Sequence, residues 1–460
     1  MLSTARGRKV HTGRQPHVQE TSMSAIVAAV SQPKSPVRDR SFNPWRCPVS
    51  EAARGIISEA IGMLQAYEGY YDLRQRQRRP ADQAVFEATV SAVLCDLMYH
   101  HVSGRDGGIA VTRSHRVLGR RSRYRPSNLG KTLPHVIDMM ASREMDFVVQ
   151  ELGHQGYFGD GKQTVVRPGW RTLQRISQHD LTVDDFGVSA LQEVIILRRK
   201  GEGYWDRTED VEYEDTPITN LFRSQMQQIN SWLAGTDIAF DEGVLTDPDR
   251  VIDANDRGLR RIFTQGRFDR GGRLYGGFWQ QLGKDTRRRG LEIDGEPVVE
   301  LDYGQMSPRI LYGLCGAVPE HHDLYILPGF GGYRKAIKKL MNAMLFSDRP
   351  LSRMPRGVRC EFGEHYCGEP ITYGHMAGII QAAHTPIAHR FFTGVGHELQ
   401  YHESQILVDV LERLREGGIV ALPIHDAVLV PRSAATAATD VMHSVFREHT
   451  GIEGVVRAER

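Results

Sequence analysis

Long apolar runs are missing from this sequence. No stretch approaches the roughly 20 residues that a membrane-crossing helix needs, so helical membrane spans are excluded and no membrane partner is expected. Cysteine is scarce: five residues, at 47, 95, 315, 360 and 367, are too scattered for a disulfide framework. The N-terminus lacks the apolar core of a secretory signal, and a reducing cytoplasm is the expected setting. Neither sign of charge dominates, since 58 basic residues against 56 acidic leave a net charge of +2. Partners must therefore be read from how the charge is distributed. What is present is ordinary globular composition, 40% hydrophobic and 25% charged, over 460 residues, a length that suggests two or three domains.

Residues 1–48 read as a disordered basic tail, rich in Ser, Gln and Pro, with only Ile26 to Val30 apolar. Beyond Ser50, the spacing of Ile56, Ile57, Ala60, Ile61 and Leu64 predicts a helix, and that of Phe86, Val90, Val93, Leu94 and Leu97 predicts another. Arg113, Arg116, Arg120, Arg121, Arg123, Arg125 and Lys131 then follow, with Tyr124 among them and no acid. Such a run is either a solvated loop or a segment that contacts phosphates. A helix through Leu129, Leu133, Val136, Ile137 and Met140, then a hairpin turning at Asp160-Gly161, has the layout of a winged helix-turn-helix. Gly156 to Lys162 matches G-x-x-x-x-G-K. However, Gln163 stands where a phosphate loop needs Ser or Thr, and Thr164-Val-Val166 favours a strand, so the match is read as accidental. Val194 to Leu197 reads as a strand and Ile218 to Leu233 as a helix. Asp210 and Glu212, at D-x-E spacing, are assigned to a charged surface loop. Loop-like composition from Thr236 to Asp249 marks the main boundary. It separates a mostly helical, DNA-binding region at 49–236, with the winged-helix layout, from a catalytic domain at 237–460.

Three segments of that second half carry chemistry. Val298 to Leu301 is an apolar run ending at Asp302, which predicts a strand delivering a carboxylate to its C-terminal end. From Arg334 to Phe346, helical spacing puts Ala336, Ile337, Leu340, Ala343 and Met344 on one side. Arg334, Lys335, Lys338, Lys339, Asn342 and Phe346 fall on the other. Four cations on one face repel one another, so the face is either solvated or the seat of an anion. Ile419 to Pro431 is two apolar runs around His425-Asp426, the pattern of a tight hairpin bending at the polar pair. An acid buried there is costly unless it is paired or bound to a cation. Two aspartates at strand ends can hold two Mg²⁺ ions about 4 Å apart, with Mn²⁺ as a substitute, and clamp an in-line phosphoryl displacement. The cationic helix would then bind the triphosphate. Elsewhere, Cys360, His365 and Cys367 offer three zinc-capable side chains and no fourth, and are read as part of an ordinary loop.

The ordered set resembles motifs A, B and C of the superfamily of family A DNA polymerases and single-subunit RNA polymerases. Asp302-Tyr-Gly-Gln305-x-x-x-Arg309 resembles D-Y-S-Q-x-E-x-R, and Arg334-x3-Lys338-x7-Phe346-Ser347 resembles R-x3-K-x7-Y-G. His425-Asp426 resembles the H-D pair, and Asp269 to Tyr275 is similar to the G-R-x-Y or T-G-R segment. The resemblance spans Arg267 to His449. It implies an α+β fold, a right-hand palm with an antiparallel sheet and helical fingers, and DNA-directed DNA polymerase activity. It further implies metal binding by Asp302, Asp426 and the Tyr303 carbonyl, and triphosphate binding by Arg334 and Lys338, with Lys338 as proton donor to pyrophosphate. Phe346, Gln305 and Ser307 would lie by the nucleotide, and Arg273, Arg309 and His425 by primer or template. The partners implied are a DNA primer-template and (deoxy)nucleoside triphosphates, with no protein partner indicated. Ser307 stands where the DNA polymerases carry the Glu that excludes a 2′-OH, Phe346 where they carry Tyr, and Ala427 where Glu follows H-D. Weak sugar discrimination is therefore expected, and a primase-like or RNA polymerase-like enzyme is the alternative. A catalytically degenerate, nucleic-acid-binding replication protein is the alternative of another class. The short interval from Asp302 to Arg334 implies pared-down fingers, and no proofreading domain is visible.

Overall fold

Two hydrophobic cores organise the chain. The computed structural model describes residues 39–154, 156, 161–189, 191–200, 207–247, 252–355, 357–362 and 372–459. The first core runs from Ala53 to Phe186 and the second from Val194 to Ile452. The change of core thus falls between Phe186 and Val194, ahead of the boundary expected near residue 236. The reason is a non-local pairing: the strand Ile195–Lys200 runs parallel to Leu259–Phe263, which draws it and the helix Pro217–Ala234 into the second core.

The first core packs the helices Glu51–Tyr70, Pro80–Val102, Thr132–Met140 and Trp170–Gln178 against a four-stranded sheet. Ser50 starts the first helix by accepting the Ala53 N–H on its hydroxyl at 3.1 Å, and Pro80 opens the second at a position where its missing N–H costs nothing. The region is less helical than its periodicity suggested, because Arg40–Ser41, Ile109–Val111, Thr164–Pro168 and Val148–Glu151 form that sheet. A helix followed by a hairpin is present as expected, with Val148–Glu151 antiparallel to Thr164–Pro168. The expected bend at Asp160 lies outside the described residues. Lys162 is paired with Glu151 at 2.6 Å.

Within residues 39–48, expected in the solvated tail, two short strands form. Arg40–Ser41 pairs with Ile109–Val111, and Arg46–Pro48 with Phe186–Val188. Their anchor is Asp96, whose buried side chain takes Arg40 at 2.8 and 2.9 Å. Asp210 is also in a strand, Thr208–Asp210, exposed and paired with Arg198 at 2.7 Å, so it is indeed on the surface but not in a loop.

The second core surrounds a six-stranded sheet in the order Leu422–Ile424, Ala427–Pro431, Glu296–Tyr303, Leu291–Ile293, Ile238–Phe240, with Val456–Glu459 also paired to Glu296–Tyr303. Every pairing in it is antiparallel. Among the described residues, no helix is long and apolar enough to cross a membrane.

Charged clamps join the cores. Arg46, with a side chain 3% exposed, pairs with Asp253 at 2.8 Å and lies 3.7 Å over the Tyr99 ring. The Tyr99 hydroxyl also donates to Asp253. Removing one partner of a buried pair strands the other charge at a cost of about 3 kcal/mol. Asp253→Ala is therefore expected to lose about that much stability in chemical denaturation. A loss under about 1 kcal/mol would mean that Asp96, 3.8 Å from Arg46, neutralises it alone.

Candidate active site

The strand Glu296–Tyr303 buries Leu301 and Tyr303 and leaves Asp302 between them half-buried. The hairpin beside it turns in two residues, because Ile424 pairs with Ala427. His425 takes a φ of 56° at that bend, a left-handed conformation in which His is enriched among non-glycine residues. The register then sets Asp302 opposite Ala427, and the Tyr303 N–H donates to the Asp426 carbonyl at 3.2 Å. Asp426 thus sits at the bend immediately beside the residue opposite Asp302, and Asp302 feels its charge. Burial, and after it the Asp426 charge, push the Asp302 carboxyl up to about 6 against the pull of Lys338.

A third acid stands behind them. Glu403, on the helix Gly396–Glu416, has a side chain 1% exposed and accepts from Arg273 Nε at 2.8 Å. Burial pushes its carboxyl up to about 7; Arg273 opposes this, and Asp426 and Asp302 add to it. The helix can approach the strand Gly271–Gly276 because Gly272, at φ +83°, has no Cβ, which would meet Ser404 Oγ at 2.7 Å. Glu403 was not among the residues singled out from sequence. Its signal was available all the same: it interrupts the apolar stripe of Leu399, Ile406, Leu407 and Val410.

The basic helix forms as its pattern predicts, over Arg334–Phe346, with Ala336, Ile337, Leu340 and Met344 buried and Lys335, Lys338 and Lys339 exposed. Lys339 is paired with Glu361 at 2.6 Å, and Arg334 with Asp323 at 2.7 Å. Phe346 is 38% exposed, edge-on to His397 at 5.2 Å between ring centroids. It lies on Gly396, where a Cβ would come within 2.6 Å of the ring. An open cleft of about 810 Å³ runs past it, lined by Ala343, Ser347, Leu351 and Met354. Ser307 is half-buried in the first turn of the helix Met306–Leu314.

The other candidates lie around this centre. Gln305 and Arg309 are 5% and 6% exposed and bond the loop at 322–324, at 3.2 and 2.7 Å from the His322 carbonyl. There they shape that loop, and Arg309 Nη1 also donates to the Glu453 carbonyl at 3.3 Å. The buried Tyr303 side chain donates to the Met442 carbonyl at 2.6 Å, which leaves only its backbone at the strand end. His425 is exposed, 6.1 Å from the Tyr275 ring, and burial followed by the Arg273 charge holds its imidazole below the ordinary range. A second cavity, of about 790 Å³ and lined by Val49, Phe186, Val194 and Leu259, lies away from the acids. Among the described residues, no group of three or more His, Cys, Asp or Glu gathers closely enough to hold a metal ion. The Cys360 side chain, His365 and Cys367 lie outside the described residues.

Glu403 gives the site a pH dependence. Below about pH 4.3, the ordinary glutamate value, the carboxyl is protonated both folded and unfolded, and its burial is tolerated. As the pH rises towards its folded value, the unfolded chain releases the proton first, so stability falls. Without divalent ions, the wild-type Tm is expected to fall between about pH 5 and about pH 7.5, and Glu403→Gln to flatten that fall in calorimetry. Parallel curves for the two proteins would assign the dependence to other groups.

No family model matches the chain, and no curated protein matches it. Among solved structures, it is similar to the POL domain of Pol1 from M. smegmatis in complex with DNA primer-template and dNTP, at 10% identity and a TM-score of 0.30. That match covers 53% of this chain and 52% of the other, about half its length. A likeness at that level fixes neither fold nor function.

Proposed function

We propose that the chain is a template-directed nucleotidyltransferase, a DNA-directed DNA polymerase of the family A kind, with weak sugar discrimination. One observation carries the reading: the register sets Asp302 opposite Ala427, next to the Asp426 bend, and the Asp302 carboxyl lies within the electrostatic reach of both Asp426 and Lys338. Half-buried acids in that relation are stabilised by a divalent cation, and Mg²⁺ takes one or two carboxylates and completes its shell with waters and phosphates. Asp302, Asp426 and the Tyr303 carbonyl would hold Mg²⁺ or Mn²⁺, which supplies charge stabilisation for an in-line phosphoryl displacement.

The chain's own groups do the rest. Lys338, exposed on the basic helix, binds the triphosphate and donates a proton to the departing pyrophosphate oxygen. Arg334, one turn earlier on the same helix, presents its guanidinium to the phosphates. Phe346 offers an apolar face to the base and sugar. Arg273, fixed by Glu403, and the exposed His425 stand where a primer end would approach Asp426. The hairpin region of the first core and its arginine-rich segment would hold the duplex. A ribonucleotide-using enzyme is the second reading, favoured by Ser307: a short side chain early in the helix after Asp302 leaves room for a 2′-OH.

The test is extension of a primed DNA template with Mg²⁺. Wild type is expected to extend it, Asp426→Ala to lose at least about a thousandfold in kcat, and Lys338→Ala about a hundredfold. Extension by Asp426→Ala at the wild-type rate, or product made without template, would overturn the assignment. Ribonucleotides are expected to enter within about tenfold of deoxynucleotides, a difference of about 1.4 kcal/mol. A thousandfold preference for deoxynucleotides would refute the sugar prediction.

A further inference from the structure

The strand Val456–Glu459 lies along the edge of Glu296–Tyr303 away from the hairpin and sets Arg457 opposite Asp302. Opposed residues of an antiparallel pair project from the same face of the sheet, so Arg457 rises beside the acid. Its stem passes over Gly304, where a Cβ would sit 3.5 Å from Arg457 Nε. Its terminal nitrogen reaches within 3.8 Å of Asp323 Oδ2. The same oxygen accepts from Arg334 Nε at 2.7 Å. The two arginine side chains are 46% and 34% exposed, so both heads open to solvent above the acid.

Asp323 is held in place from several sides. Gln305 accepts from the Leu324 N–H at 2.7 Å and donates to the His322 carbonyl at 3.2 Å. Arg309 donates to that carbonyl at 2.7 Å, and His384 Nε2 is 3.0 Å from the Leu324 carbonyl. The other oxygen of Asp323 accepts from the Tyr325 N–H at 3.0 Å. Burial resists its ionisation, but the Arg334 hydrogen bond and the Arg334 and Arg457 charges outweigh that and hold its carboxyl below the usual range. Asp323 grips Arg334 by Nε alone, and among the described residues no hydrogen bond uses the terminal nitrogens of Arg334 or Arg457. One carboxylate between two guanidiniums leaves a net positive charge, and Lys338 adds to it. A fork of free N–H groups under that charge matches the oxygens of a polyphosphate.

We propose that Arg457 is a further phosphate-binding residue of the site, and that Asp323 is the positioning residue that aligns Arg334 and Arg457 to take the phosphates of a nucleoside triphosphate. The proposal rests on the nucleotidyltransferase reading and extends it to a strand outside the recognised motifs.

The experiment is equilibrium binding of a fluorescent nucleoside triphosphate, and of the matching monophosphate, to the full chain without template. Arg457→Gln is expected to weaken the triphosphate about tenfold and the monophosphate less than about twofold. Arg457→Lys, which keeps the charge and loses the fork, should fall between Arg457→Gln and wild type. Asp323→Asn should weaken the triphosphate by about threefold or more, with the monophosphate again little changed. If Arg457→Gln binds triphosphate as wild type does while Lys338→Gln loses it, the proposal fails and the site reading stands. If Arg457→Gln weakens both nucleotides equally, its role is structural and the proposal fails. If wild type takes triphosphate no better than monophosphate, the site reading itself fails, and this proposal with it.

Discussion

The register of Glu296–Tyr303 is the constraint on which the site depends. Side chains alternate across a strand, so a slip of one residue would carry Asp302 to the opposite face and bring Leu301 to the surface. Leu301 and Tyr303, both buried, oppose that slip from within the strand. The hairpin on one edge and Val456–Glu459 on the other oppose it from outside. One strand thereby places an acid from the hairpin bend and an arginine from a distant segment on either side of its own aspartate.

Around that strand, charge is arranged in tethered pairs. Arg273 is held by Glu403, and Arg334 by Asp323. The basic helix keeps Lys338 within reach of Asp302. A buried acid is costly in isolation, and the raised carboxyls of Asp302 and Glu403 show the site carrying that cost. Strain of this kind is what a divalent cation or a charged ligand relieves, and it concentrates where chemistry is done.

Much of the site was legible because its signals are local. The apolar run ahead of Asp302, the two-residue bend at His425-Asp426 and the two-faced helix from Arg334 to Phe346 each announce themselves within a dozen or so residues. Glu403 was legible in principle, as an acid on an apolar stripe. Asp323 and Arg457 had no such mark: one sits in a loop held by Gln305, Arg309 and His384, the other in a short half-exposed strand. Motif position put Gln305 and Arg309 at the ligand; in the fold both are buried and each donates to the His322 carbonyl of that loop.

By itself, the sequence determined which faces of its segments would be buried, where the chain would bend, and that carboxylates and cations would stand at those bends and faces. Periodicity records burial, because apolar side chains must leave water whatever covers them. Only the tertiary structure decided what covers them. The pairing of Asp302 with Ala427, of Ile195–Lys200 with Leu259–Phe263, and of Arg40 with Asp96 joins residues far apart in the chain. A backbone hydrogen bond leaves no imprint on the identity of its distant partner, so such pairings are settled by the packing of the whole.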